Sequence, residues 1–511
     1  MIGDRDQGEV IAFLSRPESY GLAGAIERHE THASIVFLAG ERAYKLKRAV
    51  RYPYLDYSTP EKRRAMCEAE LEVNKRAAPA LYLEVQPIMR SEGALRLGAD
   101  GRGHVLDWVV VMRRFHESDL FEKLRREGRL NEPMMRELGE IIARFHGTAE
   151  VRSDLGGAAA MARVVDENSA LLRKMADRPF APDRIERWIA LATDACKRVS
   201  CLLDARRAQG FVRRCHGDLH LNNICLFLGR PTLFDAIEFN DDFSNIDVLY
   251  DLAFLIMDVD RHGLRKFANV VFNRYLERTS DYAGVAALPL FLSSRAAVRA
   301  HIAVTTAERS PQETKMLHAS AVELLDRAIG YLEPAPRRAI AVGGISGTGK
   351  SVLARELAPS IGQAPGAVVL RSDIIRKRMV GATESERLPP SAYTPEMHAR
   401  VYAAMREAAE ALLSQGHSVI ADAVHGSTEE RQAIAAVARR AGAKFEGLWL
   451  TAPREILEAR LAMRTGDASD ATAAVMEAQQ KTIDAPEDWR KLETSTAVGD
   501  VLAAAKRELE M

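Results

Sequence analysis

Short apolar runs of strand length mark the early part of the chain: residues 34–38, 43–46 and 105–112 read as strands, with a helical stretch at 61–76 between them. From 133 to 332 the pattern is mostly helical, broken near 215–239 by turn residues and short strands. The segment Glu333-Pro334-Ala335-Pro336-Arg337 then punctuates the chain, because two prolines stop a helix and favour an extended linker. Beyond it, strands at 340–343, 368–370, 418–421 and 446–450 alternate with helices at 395–413, 429–440 and 453–463. Such alternation implies βαβ units and a parallel sheet. The expected organisation is two domains: an α+β domain over 1–332 and an α/β domain over 337–511.

Length and charge narrow this picture. At 511 residues the chain exceeds what one hydrophobic core serves. Apolar residues make up 47% and charged residues 28%, the balance of an ordinary globular protein. Lys+Arg and Asp+Glu are both 71, so global charge gives no argument for nucleic acid or an anionic membrane. The start, Met1-Ile2-Gly3-Asp4-Arg5-Asp6, lacks the basic-then-apolar order of a signal peptide, and the apolar run 252–257 is short and bounded by Asp251 and Asp258. The cysteines (Cys67, Cys196, Cys201, Cys215, Cys225) form no C-x-x-C pair and read as reduced thiols. A cytoplasmic protein is the expectation.

The sharpest chemical signal is Gly344-Ile345-Ser346-Gly347-Thr348-Gly349-Lys350-Ser351, which fits G-x-x-x-x-G-K-[ST] at every fixed position. A strand-like run at 339–342 precedes it and 352–357 can continue as a helix. Gly344, Gly347 and Gly349 let backbone N–H groups converge on phosphate oxygens, Lys350 reaches the β/γ-phosphates of ATP, and the Ser351 hydroxyl can ligate Mg²⁺. Asp373 follows the second strand of this half, where ligands of open α/β sheets sit. It is placed to take a proton from an acceptor hydroxyl, while Arg376, one helical turn on, grips an anionic group of that acceptor. Asp422 closes another buried strand and suits Mg²⁺ organisation. Arg460 and Arg464 share a helix face before the stretch 465–470, an arrangement suited to a lid over the transferring phosphoryl group. This half resembles the small P-loop kinases of the polynucleotide-kinase, zeta-toxin and gluconate-kinase neighbourhood, with an AAA-type ATP-binding core.

A second constellation lies at His216-Gly217-Asp218-Leu219-His220-Leu221-Asn222-Asn223, followed by 224–228, a Gly229-Arg230 turn and 231–235. A tight loop presents Asp218, and Asn223 opens a hairpin whose far end carries Asp235. A carboxylate able to accept a hydroxyl proton, with an amide and a carboxylate able to share Mg²⁺, is the minimal equipment for phosphoryl transfer. The sequence here resembles the aminoglycoside phosphotransferase and choline-kinase branch of the protein-kinase-like fold, whose H-G-D-x-x-x-x-N loop it matches completely. The resemblance implies Asp218 as catalytic base and Asn223 and Asp235 as metal ligands, with Glu238 the alternative to Asp235. Asp251 is expected to order the loop, and His216 to fix it structurally.

Such a fold also needs a strand lysine for the α/β-phosphates and a helix glutamate to hold it. Lys45 and Lys47 share a strand face, and the Ala-x-Lys context favours Lys45. Glu70 is the expected partner, with Glu68 and Glu72 as neighbours on the same helix. The run Val109-Val110-Val111-Met112 resembles the hinge strand lining an adenine pocket, which makes Met112 a nucleotide contact.

The whole resembles bacterial fusions of an aminoglycoside-phosphotransferase-like domain with a P-loop NTPase domain of kinase type. It implies an ATP- and Mg²⁺-dependent phosphotransferase with two ATP sites acting on a small-molecule hydroxyl acceptor, with no membrane role and no special support for nucleic acid. Two other readings stay open. In one, a single half is catalytic and the other senses ATP; in the other, the chain is a nucleotide-dependent switch for a protein partner.

Overall fold

The computed structural model describes residues 4–52, 54–98, 103–463 and 468–511. The chain packs into two compact units interleaved in sequence, one comprising Met1–Met161 with Leu203–Asp258 and the other Ala162–Leu202 with Val259–Met511. The proline-containing segment 333–337 lies within the second unit. Among the described residues no helix is long and apolar enough to cross a membrane.

The first unit is built on a six-stranded antiparallel sheet, in the order Glu27–Glu30, Ser34–Ala39, Arg42–Lys47, His104–Arg113, Tyr82–Ser91, Ala94–Leu97. Period-two alternation sorts its two faces. Tyr44, Leu46, Val109 and Val111 pack with Val10 and Leu14 of the N-terminal helix Asp4–Leu14. Ala43, Val110 and Met112 face the other way, against Cys67 of the helix Pro60–Lys75. Lys45 and Lys47 belong to the face of Ala43, and so point toward that helix. Thr59 caps it, its side chain accepting from the Lys62 N–H, and a proline occupies its first turn. The strand Tyr82–Ser91 was not among those expected: register shifts at Tyr82/Glu84 and Ile88/Met89 break its alternation.

The rest of this unit presents the H-G-D loop. Val212–Arg214 pairs antiparallel with Asn245–Asp247, and the hairpin Ile224–Phe227/Arg230–Leu233 follows the loop as the sequence predicts. The hairpin turn has positive φ at both Leu228 (51°) and Gly229 (76°), the geometry that suits a two-residue connection to strand twist.

In the second unit a five-stranded sheet runs Val368–Arg371, Val419–Asp422, Arg338–Gly343, Lys444–Thr451, Arg490–Glu493, parallel throughout. The predicted strands and the helices Pro395–Ser414, Thr428–Arg440 and Arg454–Ala462 all form, within a few residues of their expected ends. Arg490–Glu493 was not among the expected strands, as three charged residues of four hide a short edge strand. Ile340, Val342, Leu353, Leu357, Ile420, Leu448 and Leu450 make the core. Helices from earlier in the chain complete the unit: buried Trp188 donates to Ser293 Oγ (2.9 Å), whose own hydroxyl donates to Ala328 O (2.7 Å).

Candidate active sites

In the first unit, helical spacing puts Cys67, Glu70 and Asn74 on the buried side of the helix Pro60–Lys75. Glu70, fully buried, takes both strand lysines: Lys45 Nζ lies 2.8 Å from Oε1 and Lys47 Nζ 2.7 Å from Oε2. Each lysine then reaches a second carboxylate, Lys45 to Asp235 and Lys47 to Glu238. The result is a chain of charges, Asp235–Lys45–Glu70–Lys47–Glu238. Its two ends differ. The Asp235 side chain is 44% exposed, whereas Glu238 is 5% exposed and also accepts from Tyr57 OH (2.6 Å). Asp235 is therefore the carboxylate with room for a ligand. Of the other candidate helix carboxylates, Glu68 pairs with Arg64 at the surface and Glu72 is 75% exposed.

Burial opposes the charge on Lys45, but Asp235 and Glu70 outweigh it and hold its ammonium well above the usual range. For Glu70 burial again opposes ionisation, and Lys45 and Lys47 keep the carboxyl below its ordinary value. The trio is thus ionised at neutral pH.

Asp218 and Asn223 meet at the loop. Asn223 Nδ2 donates to both Asp218 O and Oδ2 at 2.9 Å, and His220 Nε2 lies 3.3 Å from Oδ2. The loop is tied from behind, because Asp251 accepts the N–H groups of His216 (3.0 Å) and Gly217 (2.9 Å) and contacts His146 Nε2 (3.0 Å). Gly217 has φ 82°, and a Cβ there would stand 2.8 Å from Phe243 O. Burial lowers the affinity of His216 for a proton, so its ring stays neutral while Nε2 contacts Phe234 O (2.9 Å). His146, Cys215 and Asp251 are close enough to hold a metal ion, yet they are engaged with one another and with the loop; Cys215 Sγ donates to Ile246 O.

Asp235 itself has φ 62°, unusual for a residue with a side chain. Its N–H donates to Tyr82 OH (3.0 Å), and the next N–H, of Ala236, donates to Asn74 Oδ1 (2.9 Å). Those two fixings hold a strained backbone at the mouth of the site. Tyr82 and Asn74 were not read from sequence; only the shared face of Asn74 with Glu70 hinted at it. Met112 is buried on the strand His104–Arg113, paired with Ala43 and Tyr82.

In the second unit the phosphate loop joins the strand Arg338–Gly343 to the helix Lys350–Leu357. Gly344 (φ 135°) passes so near Leu450 that a Cβ would meet its carbonyl oxygen at 2.6 Å. Lys350 Nζ donates to Ile345 O (2.9 Å), and Ser351 stands half-buried in the first turn of the helix. The Ser346 N–H donates to Gln479 Oε1 at 2.8 Å, which places an oxygen acceptor against the loop's amides. Arg460 donates to Gly347 O (3.4 Å) and Thr494 Oγ1 (3.0 Å), and Thr494 in turn donates to Thr348 O (2.9 Å). A cleft of about 330 Å³ opens beside this clamp, lined by Val352, Leu353, Met463, Val498 and Val501. Arg464 lies outside the described residues.

Asp422 ends its strand directly opposite Arg371, whose Nε is 3.5 Å from Oδ2. Asp373 opens the helix Ser372–Met379. Burial pushes its carboxyl up and Asp422 adds to that, against the pull of Arg371 and Lys350. The charges of Arg371, Asp422 and Lys350 thus all act on Asp373. Arg376 is buried, its guanidinium over the Tyr393 ring (5.0 Å) and donating to Ala392 O (2.9 Å).

Residues 40–288 match the phosphotransferase enzyme family, and residues 340–486 match an AAA domain. The chain is 31% identical over 457 residues to uncharacterized proteins of Mycobacterium tuberculosis (strain ATCC 25618 / H37Rv) and Mycobacterium bovis, covering 88% of either chain. Among solved structures, a choline/ethanolamine kinase family protein from Mesorhizobium loti is 15% identical with a TM-score of 0.38, covering 64% of this chain and 95% of its own. A gluconokinase from Sinorhizobium meliloti 1021 is 19% identical with a TM-score of 0.27, covering 35% and 94%.

Proposed function

The chain belongs to the family of these mycobacterial proteins and joins a kinase-like domain to a P-loop kinase-like domain, and from that premise we propose an ATP-dependent phosphotransferase with two nucleotide sites. Each site moves the γ-phosphoryl group of ATP to a hydroxyl of a small-molecule acceptor.

The observations that support the reading are two neighbouring groups, Asp218 with Asn223 and Asp235 with the Lys45–Glu70 pair, linked by the hairpin in which the Phe234 N–H donates to Asn223 O (3.0 Å). Lys45 holds the α/β-phosphates and Glu70 keeps it charged and aimed. Asp218 Oδ2 accepts the acceptor's proton as its oxygen attacks phosphorus, with Asn223 and His220 fixing the carboxylate's rotamer. Met112 borders the base. Asn223 and Asp235 offer oxygen donors only, a set that fits Mg²⁺. When bound, the metal neutralises charge on the terminal phosphates.

At the second site the backbone N–H groups of 344–349 cradle phosphate, Lys350 neutralises it, and the apolar cleft beside Arg460 takes the base. Ser346 already donates to a carbonyl oxygen, as it would to a phosphate. Asp373, raised by burial, is poised to receive the acceptor's proton, and Arg376 faces the acceptor's side. Ser351 and Asp422 are the residues that would hold Mg²⁺.

The test is ATP turnover in Lys45→Ala, Asp218→Ala and Lys350→Ala, each alone, across a panel of hydroxyl acceptors. Separable losses for different acceptors support two kinases. Calorimetric titration finding a single nucleotide equivalent per chain at saturating Mg²⁺ overturns the two-site reading.

A further inference from the structure

The helix Arg265–Thr279 lies within the stretch matched to the phosphotransferase family, yet it packs in the second unit on the edge of the parallel sheet. Asn273 treats that edge as a neighbouring strand would. The Val369 N–H donates to its Oδ1 (2.7 Å), and its Nδ2 donates to Ala367 O (3.1 Å), where Asn269 Nδ2 also arrives (3.2 Å). Lys266 adds a surface pair with Glu356 (2.5 Å). With the helix fixed so, Glu277 is delivered to Arg371, the last residue of the edge strand.

Arg371 is 2% exposed and stands between two sets of carboxylates. Toward the phosphate loop its Nε is 3.5 Å from Asp422 Oδ2. Away from it, Nη1 lies 3.6 Å from Glu384 Oε1 and 4.0 Å from Glu277 Oε1. Glu277 Oε2 accepts from Arg274 Nη1 (3.0 Å), and Arg274 also pairs with Glu384. Arg274 and Arg371 thus both lie against Glu277 and Glu384, which are partly buried, while Arg371 alone of the two reaches buried Asp422. A buried charge left with fewer partners interacts more strongly with those that remain. Without Glu277, more of Arg371's charge would fall on Asp422 and on Asp373 beside it, the two carboxylates at the phosphate loop.

We propose that Glu277 is a positioning residue for the phosphate-loop site: it draws Arg371 back so that Asp422 remains available to nucleotide-bound Mg²⁺. The proposal rests on the reading of that site as a place for ATP and Mg²⁺. It makes a helix of the kinase-like sequence part of the second site's machinery.

The experiment uses the full chain carrying Asp218→Ala, with ATP binding followed calorimetrically with and without Mg²⁺, and ATP hydrolysis followed against Mg²⁺ concentration. Lys350→Ala identifies the heat that belongs to the phosphate loop. Glu277→Gln should raise the Mg²⁺ concentration for half-saturation about tenfold, the scale of losses on altering residues that orient metal ligands. Binding of metal-free ATP should stay unchanged. Glu277→Asp, which keeps the charge with a shorter reach, should recover part of the loss. Lys266→Ala, on the same helix away from Arg371, should behave as the parent.

A half-saturation in Glu277→Gln within about twofold of the parent overturns the proposal, well below the expected loss. So does an equal shift in Lys266→Ala, which would reduce the effect to helix docking. If Glu277→Gln does not fold, Glu277→Asp carries the same test through a smaller shift; failure of both to fold means the residue serves folding, and the proposal falls. If Lys350→Ala removes no heat, the nucleotide reading itself fails and takes this inference with it.

Discussion

Side chains build the first site and backbone builds the second. In the first unit the proposed phosphate contact is one ammonium, held in a chain of five paired side chains, buried at Glu70, Lys47 and Glu238 and open at Asp235, drawn from a strand, a helix and the segment after a hairpin. In the second it is a loop with positive φ at Gly344, Gly347 and Gly349, held by Arg460 and Thr494. The first arrangement concentrates its cost of burial in a few charges, so single substitutions there disturb both folding and chemistry. On the proposed reading the second spreads much of its phosphate contact over peptide groups, and among its side chains Lys350 is the sensitive one. Sensitivity to mutation should differ accordingly.

The largest expected effect separates the two sites directly. Asp218→Asn keeps the shape of the loop but removes the proton acceptor, and should lower turnover of the first site's acceptor about a thousandfold with ATP binding kept. Lys350→Ala should abolish nucleotide binding at the second site and leave the first site's turnover intact. Loss of both activities from either change would erase the distinction.

Next in size is Glu70→Gln. It leaves Lys45 and Lys47 buried with one carboxylate fewer, and breaking such a pair from one side costs about 3–5 kcal/mol. Thermal or urea unfolding should show it, and the transition of the first unit should move more than that of the second.

Acid should act in the opposite sense. Burial lowers His417 and His425, both in the second unit, to about 4. Unfolded histidines titrate near 6.5, so between these values the unfolded chain binds more protons than the folded one. Their neutral-state stability is complete above about pH 6.5 and is lost as pH falls toward 4, at about 3 kcal/mol for each residue at the limit. Calorimetric scans from pH 7 to 5 should lower the second unit's transition; His425→Asn should flatten part of that slope.

The smallest effect concerns Gln479. Its carbonyl oxygen accepts the Ser346 N–H, which the proposed reading gives to a phosphate. Gln479→Ala removes that competitor and should tighten ATP binding at the second site about threefold, the worth of a modest hydrogen bond. Weaker binding instead would make Gln479 a partner of the nucleotide.

What could be read from sequence follows the same division. The phosphate loop is contiguous and its geometry is local, so eight residues with a strand before and a helix after reveal it. The H-G-D loop and its hairpin are nearly as local, and Asp218, Asn223 and Asp235 come together through pairing of Ile224–Phe227 with Arg230–Leu233. Strand periodicity could not separate Lys45 from Lys47, and only the Ala-x-Lys context favoured Lys45; Glu70 holds both, and they differ in their second carboxylate, exposed Asp235 for Lys45 and buried Glu238 for Lys47. Glu70 among three glutamates needed the direction of its helix, which Cys67 and Asn74 set. Tyr82, Gln479 and Glu277 were invisible, since each reaches its partner across about a hundred residues or more of sequence and no local pattern encodes that meeting.

The amide of Asn273 has a practical consequence for anyone wishing to study the parallel-sheet half alone. Cutting the chain in the proline segment would strip Val369 and Ala367 of their side-chain partners and bare a ribbon of unpaired peptide groups, a template on which identical molecules zip together. A fragment beginning ahead of residue 259 would keep that seam closed.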